Sequence, residues 1–113
     1  MLGEVEEVIL PQVQPNRIHS WHLYVIRLRQ ESLRIDRNRF IELMAERGIG
    51  TSVHFIPLHL QPYWRDRYAL RADMFPRSQQ AFERLVSLPM YSRMTALDVQ
   101  RVAAVLRDCL AAQ

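Results

Sequence analysis

Between residues 21 and 28 apolar side chains occupy both phases of a two-residue repeat, with Trp21, Leu23 and Val25 on one and Tyr24, Ile26 and Leu28 on the other. Successive strand residues point to opposite faces, so the pattern predicts a strand that wants cover on both sides. Residues 1–18 before it carry Pro11 and Pro15 around a short apolar patch, Val8, Ile9 and Leu10. Proline disfavours helix there, and the segment reads as an extended lead-in.

The period then lengthens. Asp36 is placed to cap a helix, with Ile35 and Phe40 as a hydrophobic staple and Phe40, Leu43 and Met44 as the buried stripe. Gly48 suits the left-handed residue beyond its end, which lets Ile49 fold back on Met44, so this helix is predicted to stop by about Arg47. Residues 51–56 are β-branched and aromatic enough for a second strand, stopped by Pro57. After a stretch rich in proline and aromatics, Pro76 opens a second helix with Phe82, Leu85 and Val86 turned inward. Residues 87–91 form a short strand candidate broken by Pro89. Thr95 and Asp98 resemble a capping box, with Met94 and Val99 as its staple, and Val99, Val102, Ala103, Leu106 and Leu110 give the last helix one apolar face.

The order strand, helix, strand, helix, strand, helix, without internal repeat, predicts an α+β two-layer sandwich: a small, mostly antiparallel three-stranded sheet with helices on one face. A right-handed first crossover makes the first two strands parallel, with the third between or beside them and antiparallel. The expected division is a lead-in over residues 1–18 and one domain over residues 19–113. The uncovered sheet face is expected to be apolar and to drive self-association, as a homodimer.

At 113 residues and 49% hydrophobic the chain fits a single core. The formal charge of +3 and a pI of about 9.6 suit an anionic partner. All fifteen cations are arginines, however, scattered from Arg17 to Arg107 without a run, as on solvated helix faces. The aromatics Phe55, Tyr63, Trp64 and Tyr68, interleaved with Arg65, Arg67 and Arg71, offer a stacking platform for single-stranded nucleic acid. The favoured account is that they anchor an irregular loop, because the motif of RNA-binding sheets is missing; no nucleic-acid partner is expected. The first eight residues are acidic and unlike a signal peptide, and no apolar run reaches membrane-spanning length, so no membrane partner and a cytoplasmic home are expected.

Cys109 is the single cysteine, which excludes an intrachain disulfide and a thiolate zinc site; between Leu106 and Leu110 it reads as a packed thiol. His19 with His22 and His54 with His59 form two pairs, the second straddling Pro57 and able to converge on one pocket, but no metal is expected. The serines lack a nucleophile elbow, and Gly3, Gly48 and Gly50 cannot build a phosphate-cradling loop. The lack of lysine removes chemistry needing an ε-amino group. No complete active site is visible, and no catalytic residue is assigned.

In order, the segments HSWHLYVIRL (residues 19–28), RFIELMAERGIGTSVHFIPLHLQPYW (39–64), FPRSQQAFERLVSLPMY (75–91) and MTALDVQRV (94–102) resemble the carboxy-terminal small domain of the DegT/DnrJ/StrS sugar aminotransferases. The resemblance implies a part of a pyridoxal-phosphate enzyme that moves an amino group, usually from glutamate, onto a keto-sugar attached to a nucleoside diphosphate. In that family a large domain, missing from this sequence, supplies the Schiff-base lysine and most cofactor contacts. Pyridoxal phosphate is therefore implied for the full-length enzyme, with none bound to this chain. The partners implied are the large domain and the nucleotide sugar. The family's His-aromatic pair matches His54 and Phe55, and its Pro-Leu-His segment brings in His59 more weakly, so these three are the expected substrate-binding residues. Two other classes stay open: an interaction module that reuses the fold without catalysis, and a small α+β nucleic-acid binder.

Overall fold

The computed structural model describes residues 2–111. Three strands form one antiparallel sheet in the order β1 (Val8–Ile9), β2 (Tyr24–Leu28), β3 (Leu85–Leu88). Four α-helices complete the fold: α1 (Arg37–Glu46), α2 (Pro62–Tyr68), α3 (Pro76–Arg84) and α4 (Ala96–Ala111). The expected α+β class with a small antiparallel three-stranded sheet is what the chain adopts.

Alternation along the strands decides the layers. Tyr24, Ile26 and Leu28 share a face with Val86 and Leu88, since Ile26 pairs with Val86 and Tyr24 with Leu88. Onto this face α1 sends Phe40 and Met44, and α4 sends Val102, Leu106, Cys109 and Leu110, closing one core with Val8 and Ile49. Ile26, Leu28, Phe40, Met44, Leu106 and Cys109 are fully buried. Burying side chains of this size contributes about 1.5–3 kcal/mol each relative to leaving them in water, which is what holds two short layers together.

The helix ends are built by local chemistry. Asp36 accepts from the Arg39 amide at 2.8 Å. Beyond α1, Gly48 takes φ +74°, its amide donates to Ala45 O at 2.9 Å, and the Ile49 amide donates to Met44 O at 2.9 Å, the paired bonds of a Schellman ending. At α4 the Thr95 amide donates to the Asp98 carboxylate at 2.8 Å and the Asp98 amide to the Thr95 hydroxyl at 3.3 Å, which completes the capping box.

Four expectations need correction. The first long strand starts at Tyr24, because Trp21 has a left-handed backbone (φ +46°), its amide donates to His19 Nδ1 at 2.8 Å, and its ring stacks on Tyr24. Trp21, Leu23 and Val25 therefore do not form one apolar strand face, and Leu23 is exposed. Residues 51–56 make one bridge, Ser52 to Ser87, instead of a strand. They lie at the sheet edge with Val53, Phe55 and Ile56 exposed, and β-branched composition favours a strand only where a half-buried surface exists to receive it. The second predicted helix ends at Arg84, and Leu85 and Val86 belong to β3, where four successive pairings with β2 outweigh helical periodicity. The strand expected at 87–91 therefore sits two residues earlier and stops before Pro89.

The lead-in supplies β1, with Val8 opposite Leu28 and Ile9 opposite Arg27. Because the Ser52 bridge is antiparallel to β3, and β3 is antiparallel to β2, β3 lies between two segments running the same way, as the crossover argument anticipates. The radius of gyration is 15.8 Å, against about 13 Å for a compact domain of this size, so parts of the chain project from the core.

Candidate functional site

The second face of the sheet carries Val25 and Arg27 from β2 and Leu85 and Ser87 from β3. A groove of about 280 Å³ crosses it, lined by Pro11, Gln12, Val25, Arg27 and Leu85 among others. The Arg27 guanidinium gives this exposed stretch a positive charge. Farther along the same face the backbone of Ser87 is clamped to Ser52, donating to Ser52 O at 2.8 Å and accepting from the Ser52 amide at 3.1 Å. That bridge sets the 51–56 segment beside β3 and brings His54 over Ser87, with Nε2 3.4 Å from the Ser87 hydroxyl. His54 is half-buried, and Phe55 beside it is 97% exposed. With Val53, Ile56 and Leu58, which are also exposed, the ring makes this segment an apolar surface stretch.

His59 is placed differently. It is buried, its Nε2 lies 3.0 Å from Gln79 Oε1, and its ring stacks on Phe75 at 5.1 Å. The Gln79 amide donates to Glu83 at 2.7 Å, which leaves Gln79 Oε1 as the acceptor and His59 Nε2 as the donor. The two histidines thus have separate partners, His54 on the sheet and His59 on α3, with Phe55 projecting between them in sequence. Neither side chain of the other pair joins them: His19 accepts from the Trp21 amide and His22 is exposed.

The aromatic stretch folds as α2 and its flanks, with Tyr63 edge-on to Trp64, Trp64 stacked on Tyr68 at 5.8 Å, and Arg67 over Tyr68. Arg65 and Arg71 hydrogen-bond Asp66 and Asp73 and hold those carboxyls below the ordinary carboxylate range. The rings stack on one another and two of the arginines are paired, while Tyr63, Trp64 and Tyr68 stay exposed. Among the described residues no group of three His, Cys, Asp or Glu side chains could hold a metal ion, and no helix is long and apolar enough to cross a membrane.

Ser87 escaped the sequence reading. The one available signal was a hydroxyl inside the apolar run LVSL, where a strand would ordinarily bury a carbon side chain. What joins it to His54 is a contact 33 residues apart in sequence.

The sequence profile of the DegT/DnrJ/EryC1/StrS aminotransferase family matches residues 1–107. The uncharacterized protein MJ1066 of Methanocaldococcus jannaschii is 42% identical over 95 residues, which are 84% of this chain and 25% of that protein. The spore coat polysaccharide biosynthesis protein SpsC of Bacillus subtilis is 36% identical over 106 residues, 93% of this chain and 27% of that protein. Among solved structures, DesV of S. venezuelae superposes with a TM-score of 0.81 at 25% identity, over 95% of this chain and 27% of DesV. The aminotransferase TlmJ of Streptoalloteichus hindustanus gives 0.80 at 23%, over 98% of this chain and 28% of TlmJ. This chain thus spans about a quarter of the length of the curated relatives it matches. The two-layer fold, the match across nearly its whole length and the shared architecture place it together with these proteins: the chain belongs to the DegT/DnrJ/EryC1/StrS aminotransferase family.

Proposed function

We propose that this chain is the small domain of a pyridoxal-phosphate-dependent nucleotide-sugar aminotransferase, forming one wall of the substrate cleft and inactive by itself. The observation that carries the reading is a match to the family over residues 1–107 that spans about a quarter of its relatives' length and contains no lysine. The chain's own residues do not fit the cofactor: it has no amine to bind it covalently and no glycine-rich loop to cradle its phosphate. Those parts belong to a large domain, the proposed partner, which also brings the amino donor, glutamate, to the reaction. Cytoplasmic residence belongs to the same proposal.

Within the cleft His54 and Phe55 face the nucleotide sugar. The imidazole offers a hydrogen bond to a sugar hydroxyl or phosphate oxygen, and the exposed phenyl ring shields that bond from water. Arg27, on the same sheet face, offers charge to a diphosphate. His59 serves the site from behind, fixing the loop that follows Phe55. The apolar groove of about 450 Å³ lined by Leu2, Leu10, Tyr24, Leu88, Met94 and Val99 among others is open on the opposite, helix-bearing side. Self-association of the free chain is proposed through the uncovered sheet face, at Val25 and Leu85, and light scattering of the purified chain tests that pairing.

Replacing the matching quarter of an intact family member by this chain tests the whole reading. The chimera is expected to transfer an amino group to a nucleotide keto-sugar, and His54→Ala in it to raise KM for the sugar about tenfold, equivalent to about 1.4 kcal/mol. Amino transfer by the 113-residue chain alone would sink the proposal.

A further inference from the structure

We propose that Ser87 is a positioning residue for His54: its hydroxyl donates to Nε2 and holds the ring as the Nδ1–H tautomer, leaving Nδ1–H as the donor available to a ligand. The functional meaning rests on the substrate-facing role of His54 proposed above; the tautomer itself stands on the contacts alone.

Ser87 cannot drift. Its backbone exchanges two hydrogen bonds with Ser52 on one side and pairs with Val25 on the other, so its Cβ is fixed relative to the sheet. It is also buried, between Val86 and Leu88 of the core-forming strand. A buried hydroxyl proton without an acceptor is costly. Among the described residues the one side-chain partner of the Ser87 hydroxyl is His54 Nε2. Were Nε2 protonated it would need the serine oxygen as acceptor, and the hydroxyl proton would be left without a side-chain acceptor among the described residues. Donation from serine to Nε2 satisfies both groups and sets the ring proton on Nδ1.

At 3.4 Å the bond is long, so it orients the ring more than it binds it. It tightens when Nδ1–H donates to an oxygen, because that donation enriches Nε2 as an acceptor. The arrangement therefore selects what stands opposite His54: a lone pair, on a sugar or phosphate oxygen, and not a donor hydrogen.

Long-range nitrogen–proton NMR of the histidines in the 113-residue chain, alkaline to their titration, reads the tautomer directly. The expected result is His54 as Nδ1–H in the wild type, reversion in Ser87→Ala to the Nε2–H form that prevails for a free histidine side chain in water, and restoration in Ser87→Thr. His54 as Nε2–H in the wild type overturns the proposal whatever the variants do, and so does an unchanged tautomer in Ser87→Ala. A His54→Ala chimera with unaltered KM would instead overturn the substrate-facing role while leaving the tautomer result in place, which separates the two failures.

Discussion

His59 Nε2 and Gln79 Oε1 lie 3.0 Å apart across twenty residues of sequence, and the bond ties the loop after Pro57 to α3. Because the imidazole is buried and stacked on Phe75, His59→Ala removes both packing and a hydrogen bond. The expected loss is about 2–3 kcal/mol, and Gln79→Ala, which only strands the Nε2 donor, about 1–2 kcal/mol. Denaturant unfolding measures both. Hydrogen exchange should show the extra opening confined to residues 57–75 in Gln79→Ala, and an unaltered midpoint in His59→Ala would refute the anchoring role.

Gly48 closes α1 with φ +74°, where an added Cβ would also stand 3.1 Å from Arg101 Nη2. The arginine end can swing away, but the left-handed backbone cannot relax without breaking the Ala45 and Met44 bonds. Gly48→Ala is expected to cost about 1–2 kcal/mol and Gly48→Asn less, since asparagine tolerates this region. Urea midpoints of the pair check the order.

That C-terminal ending, the Asp36 cap and the Thr95–Asp98 box were all legible in the sequence, because each is decided by side chains within about five positions of the backbone groups they satisfy. The chain-distant parts were not. Val8 and Ile9 become a strand only because Leu28 and Arg27 wait opposite them, and residues 51–56 fail to become one because nothing pairs beyond Ser52. Leu85 and Val86 fit a helical stripe and a strand equally well until β2 is in place. His54 and Phe55 came from family resemblance, and their surroundings from the fold: only the sheet puts Ser87 beneath the imidazole.

The capping box makes the start of α4 pH-sensitive. The Asp98 carboxyl is held below its ordinary value, chiefly by the Thr95 amide and next by the Thr95 hydroxyl. A folded value below the unfolded one means the stabilisation is complete above the ordinary carboxylate range and is lost as pH falls through the depressed value. Amides at the start of α4 should therefore lose exchange protection in acid before those at its middle. Asp98→Asn is expected to remove that acid limb, whereas Thr95→Ala keeps part of it, because the amide remains, and costs about 1 kcal/mol.

Cys109 offers a direct reading of the core. It is fully buried on α4 beside Leu106 and Leu110, and burial pushes its thiol up, an effect that the Arg47 charge opposes. Thiolate is the reactive form, so both access and ionisation depend on opening of the helix. A thiol reagent at neutral pH is expected to modify Cys109 far more slowly than a free cysteine, with a rate that rises with denaturant in step with unfolding. Cys109→Ala loses the sulfur packing together with the contact to Arg47 and should destabilise by about 1–2 kcal/mol. Modification in native buffer at the speed of an exposed thiol would show that α4 does not seal the core as described.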